Sequence, residues 1–98
     1  MDVLPDGAFD LVVSTDVLEH IEPQYLKAVL KDMRQRASRG VFLNISCGPS
    51  KQVLPDGRNA HLIIEKPGWW LKTLHEQFKW PYMMYDDTRK GLIVWLRR

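Results

Sequence analysis

Cysteine is nearly absent. Cys47 is the one thiol in a chain of 98 residues, so no intramolecular disulfide can form. That usage fits a reducing compartment. Neither sign of charge dominates: 14 Lys and Arg stand against 12 Asp and Glu, a formal net charge of +2. This is too little to draw in nucleic acid or a membrane surface, and neither partner is expected. No apolar run approaches the roughly 20 residues that cross a bilayer. Asp2, Pro5 and Asp6 stand where an apolar leader would need to lie, so the expectation is a soluble, cytoplasmic protein. Six glycines are present and none falls in a G-x-G pattern. The turn that brings backbone close to a dinucleotide in Rossmann-type folds is therefore missing.

What is present reads as one α/β domain over residues 1–98. Hydrophobic residues make up 45% and charged residues 27%, ordinary values for a globular chain. The stretch "FDLVVS", Phe9–Ser14, follows an LPDG turn and carries three contiguous apolar residues. Contiguity, as opposed to alternation, suits a parallel strand covered on both faces. Pro23 opens a helix in which Tyr25, Leu26, Val29, Leu30 and Met33 share one face. Arg36 and Arg39 suit its C-terminal end, and Gly40 is expected to terminate it. "GVFLNIS", Gly40–Ser46, reads as a second strand. A loop from Gly48 to about Glu65 repeats the LPDG turn at Leu54–Gly57. Pro67 starts a second helix with Trp70, Leu71, Leu74 and Phe78 as its stripe, and Pro81 stops it. Two short strands, "YMMYDD" and "GLIVWLRR", close the chain around a tight connection at Thr88–Gly91. The order is strand-helix-strand-helix-strand-strand: parallel strands with crossovers, then an antiparallel hairpin.

The acid, acid, imidazole cluster after the first strand carries a resemblance. "FDLVVSTDVLEHI" resembles the fourth strand and following loop of class I S-adenosylmethionine-dependent methyltransferases. "GRNAHLIIEKPGWWLKTL" is similar to a later segment of many small-molecule members. The resemblance covers nearly the whole chain, as the C-terminal half of a Rossmann-like methyltransferase fold, a single partial domain. It implies S-adenosylmethionine as cofactor, with Ser14, Thr15 and Asp16 near it. It implies His20 and Glu19 as catalytic groups, His20 serving as base toward an oxygen or nitrogen acceptor. Arg58 and His61, in the later loop, would face the substrate. If that loop rises on the ligand side, Asp16, Glu19, His20 and His61 converge, a set that suits a divalent metal. Certain metal-using relatives show a similar acid-x-x-acid-His pattern, but they tend to have Glu at the first position where this chain has Asp16. Many relatives with "LEH" use no metal, so the resemblance does not lead us to expect one.

A C-terminal half has a physical consequence. Phe9–Ser14 becomes an edge strand with an unpaired backbone row and no charge or proline to blunt it. The expectation is that this edge is covered in trans, by a second copy in a homodimer or by a separate chain carrying the N-terminal half. The chain alone is then expected to be inactive. The alternatives are a non-catalytic homodimeric fragment that has lost cofactor binding, and an interaction module that adds strands to other proteins. Three further readings are plain. His75 faces solvent, Cys47 is a buried and unreactive thiol, and Trp69, Trp70, Trp80 and Trp95 pack the core.

Overall fold

The structure, a computed structural model, describes residues 5–87 and 91–98. Strand β1 (Phe9–Thr15) leads through 3-10 turns at Leu18–His20 and Pro23–Tyr25 into helix α1 (Leu26–Arg36). Strand β2 (Ala37–Ser46), helix α2 (Pro67–Phe78) and strands β3 (Tyr82–Asp87) and β4 (Gly91–Arg97) follow. The sheet runs β1-β2-β4-β3. β1 and β2 are parallel, with Val12 opposite Val41 and Ser14 opposite Leu43. β4 is antiparallel to β2 and to β3. The expected tight connection falls mostly on residues 88–90, outside the described residues.

Both helices lie on one face of the sheet. Leu26 and Leu30 of α1 and Trp70, Leu74 and Phe78 of α2 are buried against Val41, Leu43 and Ile45 of β2 and Leu92, Val94 and Leu96 of β4. In α2 the buried residues recur every fourth position, the spacing that stacks side chains along one helical stripe. Pro67 supplies the first helical position. Lys79 ends the helix in a left-handed conformation (φ 56), donating its N–H to the His75 carbonyl.

Among the described residues no element covers the opposite face, which is bare of helices. The register aligns Leu11 and Val13 of β1, Phe42 of β2, Ile93 and Trp95 of β4 and Met83 and Tyr85 of β3 on it. Val13 is 56% exposed, Met83 71% and Tyr85 67%. The shortest extent of the Cα trace is 19 Å, the thickness of one sheet and one helical layer. The contiguous apolar residues of β1 led us to expect cover on both faces, and among the described residues only one face has it.

Four local expectations are corrected. The helix ends at Arg36, and β2 begins at once with fully buried Ala37. Gly40 is therefore no helix terminator. It lies inside β2, where an added Cβ would sit 2.6 Å from the Trp95 ring and 2.8 Å from the Leu96 carbonyl oxygen. Tyr25 precedes α1 and is 57% exposed. Of the four tryptophans, Trp70 and Trp80 are core, Trp95 is half-buried on the bare face and Trp69 is exposed.

Candidate functional site

The site begins where β1 gives out. Asp16 turns left-handed (φ 57) and donates its N–H to the Asn44 carbonyl at 2.9 Å, one residue beyond the strand. Asp tolerates this conformation better than most residues. The single turn Leu18–His20 then alternates its environment sharply. Leu18 enters the core, Glu19 is completely buried and His20 is exposed.

The segment after β2 folds over this turn. A second LPDG turn closes between Leu54 and Gly57, with the Gly57 N–H on the Leu54 carbonyl at 2.9 Å and Gly57 at φ 90. Gly7, in the first such tetrapeptide, has φ 68. In both, glycine occupies the left-handed position that the turn requires. Asn59 then acts as the loop's hub. Its Oδ1 accepts from the N–H groups of Ser50 (3.0 Å) and His61 (2.9 Å), and its Nδ2 donates to the Ser50 carbonyl (2.9 Å). Ile63 donates to the Glu19 carbonyl at 3.1 Å, which fastens loop to turn.

These restraints bring His20 and His61 together edge to face, ring centroids 4.7 Å apart. His20 Nδ1 bonds the Ala60 carbonyl at 2.9 Å, and His61 Nδ1 bonds the Gly48 carbonyl at 2.6 Å. A carbonyl can only accept, so each Nδ1 carries the proton and each neutral ring keeps its lone pair on Nε2. Glu19, His20 and His61 each offer a ligand atom within 4.8 Å of the other two. Neither carboxylate oxygen of Glu19 has a hydrogen-bond partner among the described residues.

The remaining expected site residues lie elsewhere. Asp16 does not join the three. It lines a separate cavity of about 290 Å³ with Asn44, Ser46, Tyr85 and Ile93. Ser14 is buried on the helix side and its hydroxyl has no partner among the described residues, whereas Thr15 is exposed. Arg58 holds Glu22 through two bonds of 2.9 and 3.0 Å and Asp56 through one of 2.8 Å. The side-chain bonds raise the pKa of Arg58 and lower that of Glu22, whereas Asp56 is lowered first by the Arg58 backbone N–H, which it accepts at 3.0 Å, and then by the Arg58 side chain. Cys47 is half-buried. Loss of solvent, then the charges of Asp86 and Glu19, push its thiol up to about 11. His75 is exposed. Three important groups gave no signal in the sequence: the Asn59 amide and the carbonyls of Gly48 and Ala60. Backbone acceptors are invisible to any reading of side chains.

The elements define the class first: a mixed α/β arrangement of a four-stranded sheet with two helices on one face. No family model matches the sequence, and no curated protein matches it. Solved structures do share the fold. One is the 1,6-didemethyltoxoflavin-N1-methyltransferase of Burkholderia thailandensis, with 1,6-didemethyltoxoflavin and S-adenosylhomocysteine bound. It matches with a TM-score of 0.63 and 15% identity over 99% of this chain and 47% of its own. Another is an O-methyltransferase family protein from the same organism, with a TM-score of 0.57 and 17% identity over 93% of this chain and 31% of its own. The chain thus spans less than half the length of either, and at these identities the likeness is one of fold.

Proposed function

We propose that this chain is the acceptor-side part of an S-adenosylmethionine-dependent methyltransferase and is inactive until a glycine-rich first half is supplied by another segment or chain. The observation that carries this reading is the bare sheet face together with the exposed β1 edge. Leu11, Val13, Phe42, Ile93, Trp95, Met83 and Tyr85 form an apolar surface that a further layer would bury. The neighbouring methyltransferases carry as much chain again or more beyond the matched part. S-adenosylhomocysteine in one of them is the cofactor after its methyl has left.

Methyl transfer is a displacement at the methyl carbon, and the acceptor atom must be held about 3 Å from it and in line. Positioning is the main catalytic task. Ser14, Thr15 and Asp16, at the carboxyl end of β1, take the cofactor side. Glu19, His20 and His61 form the acceptor wall. Their task is to draw the proton from an oxygen or nitrogen acceptor as the methyl arrives, directly or through a bound cation. Arg58 reaches an anionic acceptor group only by releasing Glu22 or Asp56.

Calorimetric titration with S-adenosylmethionine tests this reading. The 98-residue chain alone is expected to give no heat of binding. The chain translated together with the coding sequence directly upstream is expected to bind at micromolar concentration. Micromolar binding by the chain alone overturns the need for a complement. No binding by the completed protein overturns the methyltransferase reading. A second reading, a homodimer without cofactor, draws on the same exposed edge: Phe9 is 50% and Leu11 45% exposed. A dimeric mass in light scattering, with no cofactor binding in either form, selects it.

A further inference from the structure

We infer that Glu19, His20 and His61 form a site for one divalent transition-metal ion of the zinc class. The resemblance offered Asp16, Glu19, His20 and His61 as a set that suits a divalent metal without leading us to expect one, and three of the four lie together. The inference stands on the geometry of three donors and holds whether or not the chain transfers methyl groups.

Three observations converge. First, the ligand atoms lie within 4.8 Å of one another. Ligands roughly 2.0–2.1 Å from a tetrahedral ion stand about 3.3 Å apart, so small side-chain rotations close the set. Second, both imidazoles are already oriented as metal ligands. Each is anchored through Nδ1 to a backbone carbonyl, His20 to Ala60 and His61 to Gly48, which leaves Nε2 with its lone pair. Such outer partners fix tautomer and ring direction in metal sites. Third, the Glu19 side chain is fully buried, and both its oxygens are unpartnered among the described residues. A carboxylate taken from water without hydrogen bonds is costly, and a cation bridging it to two imidazoles offsets that cost.

The donor set selects the ion. Two imidazoles and one carboxylate favour zinc, cobalt or iron over magnesium and calcium, which prefer an all-oxygen shell. Asp16 takes no part. Its separate cavity makes this a three-ligand site, unlike the four-residue set the sequence suggested. Three protein ligands leave a coordination position for an exchangeable water or for an acceptor oxygen or nitrogen. His20, the exposed member, marks the open side.

The test uses tag-free, chelator-treated chain titrated with cobalt(II) under visible spectroscopy, then with zinc(II) by calorimetry. Saturation at one equivalent is expected, with zinc displacing cobalt. Glu19→Gln and His61→Ala are each expected to weaken binding by more than about a hundredfold, beyond the roughly 10–100-fold typical of losing an outer-shell partner. Asp16→Asn is expected to leave it unchanged. Histidine ring NMR on the unaltered chain guards against a folding defect in the variants, because zinc is expected to shift the Nε2 signals of His20 and His61. Absence of saturable uptake overturns the assignment. So does uptake that survives both substitutions, or a thiolate charge-transfer band placing Cys47 on the metal. Cofactor titration reads a different event, so failure of the methyltransferase reading leaves this result standing.

Discussion

His20 and His61 come from separate segments and meet with ring planes at 83° and centroids 4.7 Å apart. No direct bond joins the rings. Each is steered by a carbonyl, and the carbonyls are placed by the fold of the loop. Asn59 is the residue that sets that fold, with three bonds of 2.9–3.0 Å to Ser50 and His61. Asn59→Ala strands the Ser50 and His61 amides. We expect a loss of about 1–3 kcal/mol, or roughly 4–8 °C in Tm for each kcal/mol in a domain this size. Thermal melts read the loss. NMR is expected to show the His61 ring released from its fixed tautomer while α2 signals stay in place.

Gly40 tests the packing of β2 against β4. A methyl group there meets the Trp95 ring and the Leu96 carbonyl oxygen, and backbone cannot yield as a side-chain end can. Gly40→Ala is expected to cost about 1–3 kcal/mol in urea unfolding. Gly68 is the control. It lies in the first turn of α2 with nothing within 4 Å of an added Cβ. Gly68→Ala is expected to be neutral or to stabilise by up to about 1 kcal/mol. Equal losses at both positions would remove the steric account.

The same glycine marks where sequence reading stopped. Glycine after a basic stretch reads locally as a helix terminator, because αL is open to it. Its real constraint is Trp95, which approaches from β4 far along the chain. Local patterns were legible. The α2 stripe of Trp70, Leu74 and Phe78 is buried, and the Gly57 turn has the φ its sequence asks for. The pairing of His20 with His61 was legible only as a possible convergence. The sequence set Asp16 apart only as an Asp, with a shorter arm, where metal-using relatives tend to have Glu. In the structure Asp16 has a left-handed backbone and lines a cavity with Asn44 and Tyr85, apart from the two histidines.

The Arg58 clasp carries a pH signature. The Arg58 side chain holds the Glu22 carboxyl below its ordinary value of 4.5, and the Arg58 backbone N–H, then the side chain, hold Asp56 below 3.8, so alanine at 58 releases Glu22 and only part of the hold on Asp56. A carboxyl depressed on folding adds stability above its unfolded pKa and loses it as pH falls through the folded one. The contribution is therefore complete at neutral pH and fades only in acid, below those ordinary values. All three side chains are at least a third exposed, so the effect is small and sensitive to salt. The urea midpoint of the unaltered chain is expected to fall more steeply below about pH 4.5 than that of Arg58→Ala, and the difference is expected to shrink in high salt. Parallel profiles would dissolve the clasp.

Cys47 offers a chemical readout of burial. Its thiol is pushed up to about 11 from 9.0, first by loss of solvent and then by Asp86 and Glu19. At pH 8 such a shift leaves about a hundredfold less thiolate than in an ordinary cysteine, and the thiolate is the reactive form. Iodoacetamide labelling of the folded chain is expected to be slower than that of the urea-unfolded chain by about that factor. Labelling at the unfolded rate would mean that the thiol is not desolvated.

The β1 edge decides how the chain exists in solution. Phe9, Leu11 and Val13 stand between 45% and 56% exposed on a strand paired on one side by β2. An unpaired backbone row with apolar side chains is a template for another strand. The unaltered chain is therefore expected to exceed its own mass of 11.5 kDa in light scattering, either with a second copy or with a complementing half. A lysine on an edge strand opposes such pairing without touching the core. Val13→Lys is expected to change folding stability by no more than about 0.5 kcal/mol, as substitutions at exposed positions do, and to return the chain to a single-copy mass with its circular dichroism unchanged. An unaltered chain that stays monomeric at the highest attainable concentration, and gains no mass with the upstream segment present, would mean that this edge is tolerated in water.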